Sequence, residues 1–172
     1  MISSKLNKGL NGKPVIPGDK SISHRSIIIS SISNGKTIIK NLLKSEDVLY
    51  TLKAFKEMGV SIKENDLEVT VYGNGLNSLT KPNKDLYLGN SGTSARLLTG
   101  LLASQKFSTT LTGDKSLSSR PMKRISDPLK KMNAEIITTN GSMPLKVIGT
   151  RLKNADIEIH IPSAQIKSGL IL

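Results

Sequence analysis

The sequence contains no cysteine and no tryptophan, and only three Tyr and two Phe among its 172 residues. Lack of cysteine excludes a disulfide framework, a thiolate metal site and a cysteine nucleophile, and it fits a reducing compartment. With so few aromatics the core must be built from Ile, Leu and Val. Nor do aromatics interleave the lysines, as base stacking on single-stranded nucleic acid would require. Acidic residues are scarce as well: 13 Asp and Glu stand against 25 Lys and Arg, a formal charge of +12. This balance predicts an anionic partner, whether nucleic acid, a membrane surface or a small acidic substrate. No apolar run approaches the roughly 18 residues that span a bilayer. No signal-peptide apolar segment stands behind Met1-Ile2-Ser3-Ser4-Lys5. The expectation is a cytoplasmic protein without membrane association. At roughly 100 to 200 residues per domain, the length allows one compact domain, or one with an appendage.

The make-up of the basic charge is informative. Twenty of the basic residues are Lys and five are Arg. The lysines are scattered, with no block of like charge, and read as a solvated surface. Arg25, Arg96 and Arg120 instead follow Ser/Gly-rich loops. Arginine offers a planar fork matched to carboxylate and phosphate.

An internal repeat organises the chain. Gly18-Asp19-Lys20-Ser21-Ile22-Ser23-His24-Arg25 aligns with Gly89-Asn90-Ser91-Gly92-Thr93-Ser94-Ala95-Arg96, and an apolar helix-like stretch follows each. Thr37-Ile38-Ile39 then matches Thr109-Thr110-Leu111, Lys56-Glu57-Met58 matches Lys130-Lys131-Met132, and Val71-Tyr72-Gly73 matches Val147-Ile148-Gly149. A third copy opens at Ile161-Pro162-Ser163. Within a copy, Ser45 with Glu46 and Asp47 predicts a helix start. Val48, Leu49, Leu52, Phe55 and Met58 mark that helix's apolar face, and Gly59 its stop. Asp127-Pro128 reads as the corresponding cap in the second copy. Leu67, Val69 and Val71 alternate with polar residues, as do Ile157, Ile159 and Ile161, and both predict half-buried strands. Each copy thus reads strand, loop, helix, strand, helix, strand, strand. This predicts an α/β fold with parallel pairing. The helices at 27–32 and 97–102 are too apolar for a one-sided surface position and are expected to be buried. The apolar sequence after Ser163 reads as the first part of a further helix, which predicts a chain that is a piece of a longer protein.

A Gly/Ser/Lys loop running into a helix suits an anion, because backbone N–H groups and the positive end of the helix dipole face it. Lys20 adds a charge, Ser21 and Ser23 add hydroxyls, and Arg25 reaches back with its fork. Three such helix starts converging on one cleft would hold a multiply charged anion. Gly18-Asp19-Lys20-Ser21 lacks the upstream glycine of a Walker A loop. Gly113-Asp114-Lys115-Ser116, which leads to Arg120-Pro121, is a second basic loop in the second copy. His24 and His160 stand apart and without carboxylates at ligand spacing, so structural roles are expected and no metal.

Taken together, the Gly18–Arg25 motif, Gly89-Asn90-Ser91-Gly92-Thr93, Arg120-Pro121-Met122 and Ser163-Ala164-Gln165-Ile166-Lys167 resemble the 5-enolpyruvylshikimate-3-phosphate synthase family. The resemblance runs the length of the chain. It implies two lobes of βαβαββ units around a cleft. Residues 1–15 would then be a strand of the other lobe, 16–85 and 86–155 two units, and 156–172 the start of a third. It implies transfer of the enolpyruvyl group of phosphoenolpyruvate to the 5-hydroxyl of shikimate 3-phosphate, with no cofactor or metal. Lys20, Ser21, Arg25, Ser163 and Gln165 match positions on shikimate 3-phosphate. Lys20, Gly92, Arg120 and Gln165 match positions on phosphoenolpyruvate, and Lys20, between the two, is the catalytic candidate. The proton-moving residues of the family have no counterpart here. This piece is therefore expected to be inactive alone, to need the remainder of the polypeptide and to self-associate without it, whereas the complete enzyme is expected to be a monomer. UDP-N-acetylglucosamine enolpyruvyl transferase has the same fold, but its usual loop cysteine is missing. A basic nucleic-acid-binding module is the alternative of a different class, and it would show steep salt dependence and indifference to small anions.

Overall fold

A computed structural model describes residues 11–172. The strand expected over 1–15 lies outside the described residues up to position 10, and 11–15 form no helix or strand. The first copy contains α1 (Lys20–Ile32), β1 (Asn34–Lys40), α2 (Glu46–Glu57), β2 (Ser61–Glu64) and β3 (Glu68–Asn74). The second contains β4 (Leu86–Tyr87), α3 (Gly92–Ala103), β5 (Ser108–Thr112), the short α4 (Lys115–Ser118), α5 (Lys123–Lys131), β6 (Glu135–Thr139) and β7 (Ser142–Ile148). A last helix, α6 (Ala164–Ile171), follows.

The class is α/β, but the expected parallel pairing is corrected. Among the described residues the strands form two sheets, ordered β1-β3-β2 and β4-β5-β7-β6, and only β4 with β5 runs parallel. Short hairpins are the reason. Asn140 and Gly141 both have positive φ, 52° and 78°, the backbone of the two-residue turn that folds β6 directly back on β7. A crossover helix long enough for parallel pairing is not present there.

The repeat has a steric basis. A Cβ on Gly73 would stand 2.2 Å from the Ser30 carbonyl oxygen and 2.3 Å from that of Ser33, at the end of α1. A Cβ on Gly149 would stand 2.0 Å from the Gln105 carbonyl oxygen, just past the end of α3. In both copies the last strand touches the backbone that leaves the first helix, and only glycine fits.

Helix α3 is the centre of the core. Leu97, Leu98 and Leu101 are wholly buried and Leu102 nearly so; each contributes roughly 1.5–3 kcal/mol on transfer from water. The expectation of two buried helices holds for α3 and for one face of α1. Ile27 and Ile28 are buried, while Ile22 and Ile29 are 66% and 53% exposed. With Ile38 they line an apolar groove between α1 and β1.

Three further expectations are corrected. Leu67 is exposed and lies before β3, whose inward residues are Val69, Val71 and Gly73. Residues 157–161 are not a strand, although Ile157 and Ile159 are half-buried, because no strand pairs with them among the described residues. Helix α5 begins at Lys123, so Pro128 lies inside it rather than at its first position. Ser45 does cap α2 by position, but its hydroxyl makes no capping bond.

Candidate anion-binding site at three helix starts

All three helix starts carry a side-chain cap. Asp19 Oδ1 accepts from the Ile22 N–H at 2.7 Å, Ser91 Oγ from the Ser94 N–H at 3.2 Å, and Ser163 Oγ from the Ile166 N–H at 3.3 Å. Asp114 caps α4 in the same way, accepting from the Leu117 N–H at 2.7 Å. The two Gly-Asp-Lys-Ser segments are therefore Asp-capped helix starts, with a carboxylate where a bare phosphate loop would leave N–H groups open. Outward positive charge comes from side chains.

One group of candidates surrounds α1. The Lys20 ammonium pairs with the Asp47 carboxylate on α2. Arg25 donates from Nη2 to Ser168 Oγ at 2.8 Å, from Nε to the same oxygen at 3.3 Å, and from Nη1 to the Ser21 carbonyl at 3.2 Å. Ser168 belongs to α6, so the fork of Arg25 ties the first helix start to the last.

A second group surrounds α3. Arg96 Nη1 donates to the Gly92 carbonyl and to Gln165 Oε1, both at 3.2 Å, and its Nη2 donates to the Pro121 carbonyl at 3.2 Å. Gln165 Nε2 donates to Thr93 Oγ1 at 2.9 Å. Arg120 donates to Asn90 Oδ1 and, at 3.3 Å, to Ser116 Oγ. Gly92 lies under both arginines: a Cβ there would stand 2.8 Å from Arg96 Nη1 and 3.1 Å from Arg120 Nη1. Burial, then the positive charges of Arg120 and Arg124, push the Arg96 pKa below its ordinary value. Among the described residues the ion pairs involve Lys20, Lys56, Lys84 and His160, and none involves an arginine. The arginines therefore gather around neutral acceptors, an arrangement that an incoming anion stabilises.

The structure thus brings Gly92, Arg120 and Gln165 together, and Lys20, Ser21 and Arg25 together. Helix α6 spans both groups, with Ser168 on one and Gln165 on the other. The sequence gives Arg96 no role, places Asp47 in a helix start and Asn90 and Thr93 in a motif without a role at the site, and does not single out Ser168. Arg96 was within reach, since it occupies the column of Arg25 in the repeat. The roles of the other four are revealed only by folding.

The sequence model of the family described as EPSP synthase (3-phosphoshikimate 1-carboxyvinyltransferase) matches residues 5–172. The chain belongs to the EPSP synthase family. It is 52% identical over 169 residues to the 3-phosphoshikimate 1-carboxyvinyltransferase of Ruthia magnifica subsp. Calyptogena magnifica, a match that covers 98% of this chain and 39% of that protein. The enzyme of the same name from Oenococcus oeni is 51% identical over 172 residues, covering 99% of this chain and 39% of the relative. The crystal structure of EPSP synthase from Acinetobacter baumannii superposes with a TM-score of 0.89 at 49% identity, covering 92% of this chain and 37% of that one. The chain therefore spans about two fifths of the length of its EPSP synthase relatives, and the fold described above is part of theirs.

Proposed function

We propose that this chain supplies one side of the site at which an EPSP synthase transfers the enolpyruvyl group of phosphoenolpyruvate to shikimate 3-phosphate. The observation that carries the reading is the pair of arginines, Arg96 and Arg120, held around Gly92 with neutral acceptors among the described residues. Phosphoenolpyruvate, with a carboxylate and a phosphate, is the anion that Arg120, Gly92 and Gln165 receive. Shikimate 3-phosphate lies on Lys20, Ser21, Arg25, Ser163 and Gln165, with its carboxylate on Ser21 and Arg25. Lys20 stands between the two substrates.

The 5-hydroxyl oxygen bonds to the central carbon of phosphoenolpyruvate and loses its proton while the methylene carbon gains one. The tetrahedral intermediate then expels phosphate and gives up a proton from its methyl carbon, which restores the double bond. The cations of this chain act by binding that intermediate more tightly than the substrates. Proton transfer belongs to the remainder of the polypeptide, so this chain alone is inactive. Residues 16–85, 86–155 and 156–172 are read as two βαβαββ units and the opening of a third. The remainder covers the groove of Ile22, Ile29 and Ile38, and this chain alone self-associates through that groove. The complete enzyme is a cytoplasmic monomer that needs no metal or cofactor and binds no nucleic acid.

The test is made in the enzyme assembled from this chain and the remainder. Arg25→Lys keeps the charge but loses the fork, and is expected to weaken shikimate 3-phosphate binding by roughly 1–3 kcal/mol. Lys20→Ala is expected to lower kcat more than it raises KM for either substrate. Small, equal effects of both substitutions on every parameter would contradict the assignment.

A further inference from the structure

Beneath the two groups of cations runs a line of buried polar side chains that the proposed reaction does not use. His24, Thr51, Ser94 and Ser91 are all buried, His24, Thr51, Ser94 and Ser91 each at 0% exposure. His24 Nδ1 lies 2.8 Å from Thr51 Oγ1, Thr51 Oγ1 lies 2.6 Å from Ser94 Oγ, and Ser94 Oγ lies 2.5 Å from Ser91 Oγ. These four residues come from α1, α2, the start of α3 and its cap. Each end abuts a candidate substrate contact: His24 precedes Arg25 and lies one turn after Lys20, while Ser91 and Ser94 flank Gly92 and Thr93. The ammonium of Lys20 pairs with Asp47, which lies one turn before Thr51 on α2.

Buried hydroxyls and imidazoles are costly without partners, and polar chains that satisfy one another specify a single arrangement. Apolar side chains could fill the same space, but they would allow α1 to slide along α3. We propose that the chain His24–Thr51–Ser94–Ser91 is a positioning device that fixes the spacing between the start of α1, with Lys20 and Arg25, and the start of α3, with Gly92 and Thr93. That these starts hold the two substrates rests on the proposed function; the coupling itself does not.

The donor order follows from one orphan atom. His24 Nε2 is buried and has no partner among the described residues. A buried N–H without an acceptor is the costlier of the two choices, so the proton resides on Nδ1. Nδ1–H then donates to Thr51, Ser91 donates to Ser94 and Ser94 to Thr51, and the Thr51 hydroxyl proton has the Asp47 carbonyl oxygen at 3.4 Å, so that every proton along the line has an acceptor.

The experiment is heteronuclear NMR on this 172-residue chain. In the unmodified chain at pH 7 the His24 ring is expected to be neutral and protonated at Nδ1. An imidazolium, or a proton on Nε2, overturns the donor order and with it the device. Thr51→Val removes the central hydroxyl at constant shape and is expected to shift the backbone amides of Lys20–Ser21 and of Gly92–Thr93 together. Thr51→Ser restores both sets. Thr99→Val, which removes a buried α3 hydroxyl bonded only to the Ala95 carbonyl, is expected to leave the Lys20–Ser21 amides in place. If Thr51→Val does not fold, Ser94→Ala cuts the line from its other side and is read in the same way. Failure of the two amide sets to move together, or equal movement in Thr99→Val, overturns the proposal. Titration of the enzyme assembled from this chain and the remainder with shikimate 3-phosphate separates the two claims: Thr51→Val is expected to weaken binding about tenfold and Thr51→Ser to restore it. An assembled enzyme that binds no shikimate 3-phosphate, while this chain shows the coupled shifts, contradicts the proposed function and leaves the device standing.

Discussion

Lowering the pH from 7 to 4 is expected to remove about 3 kcal/mol of folding stability through His24 alone. The imidazole is wholly buried, and its pKa falls from the ordinary 6.5 to about 4, chiefly because burial disfavours the cation. Of the charged groups around it, Asp47 acts the other way, while Lys20 and Arg25 add to the depression. The unfolded chain takes up a proton at His24 near pH 6.5 and the folded chain only near pH 4, so between these values the unfolded state binds more protons. Stability is therefore complete above about pH 6.5 and is lost as the pH falls toward about 4. Urea unfolding of the chain and of His24→Gln across this range isolates the effect, since every other titrating group contributes to both. The stability difference between the two proteins is expected to shrink by about 3 kcal/mol on acidification. A difference that does not change with pH would show that His24 is not held as a buried neutral ring.

The second large effect concerns the seat of α6. Gly100 on α3 and Gly169 on α6 face one another, and a Cβ on Gly100 would stand 1.6 Å from the Gly169 carbonyl oxygen. The obstructing atom is backbone, so the two helices must separate. Overpacking of this kind costs typically 1–3 kcal/mol, and here the upper end applies. Alanine returns up to about 1 kcal/mol through its helix preference over glycine. Gly100→Ala is therefore expected to lose about 2 kcal/mol net, seen as a lower urea midpoint and faster amide exchange throughout α6. The same displacement would carry Gln165 away from Arg96 and Thr93 and Ser168 away from Arg25. A raised urea midpoint would mean that α6 does not pack on α3 through these glycines.

What could be read from sequence was local. Capping residues, apolar spacing and the two aligned Gly/Ser loops located α1, α2 and α3, and the four ordered motifs led to the family. Strand direction was lost because the interleaved order of helices and strands hid the hairpins; the positive φ of Asn140 and Gly141, not the helix count, decides how β6 and β7 pair. The strand expected at Ile157–Ile161 has the right alternation but no neighbour to bond with among the described residues. At the site, the side chains legible in advance were those inside a motif. The partners that determine their geometry lie far along the chain: Asp47 is 27 residues from Lys20, Ser168 is 143 from Arg25 and Gln165 is 69 from Arg96. No periodicity or cap encodes such pairs. Within Gly-Asp-Lys-Ser, Asp19 and Asp114 cap the helix that follows, a role the Gly/Ser/Lys pattern does not reveal.

In the proposed function this chain holds one side of an enolpyruvyl-transfer site. Phosphate release from phosphoenolpyruvate and shikimate 3-phosphate tests it most directly, measured with this chain, with the remaining length of an EPSP synthase supplied as a separate polypeptide, and with the two mixed in equal amounts. Release is expected from the mixture alone and only when both substrates are present. Release by this chain without the remainder, or none from a mixture that elutes as a one-to-one complex, would contradict it.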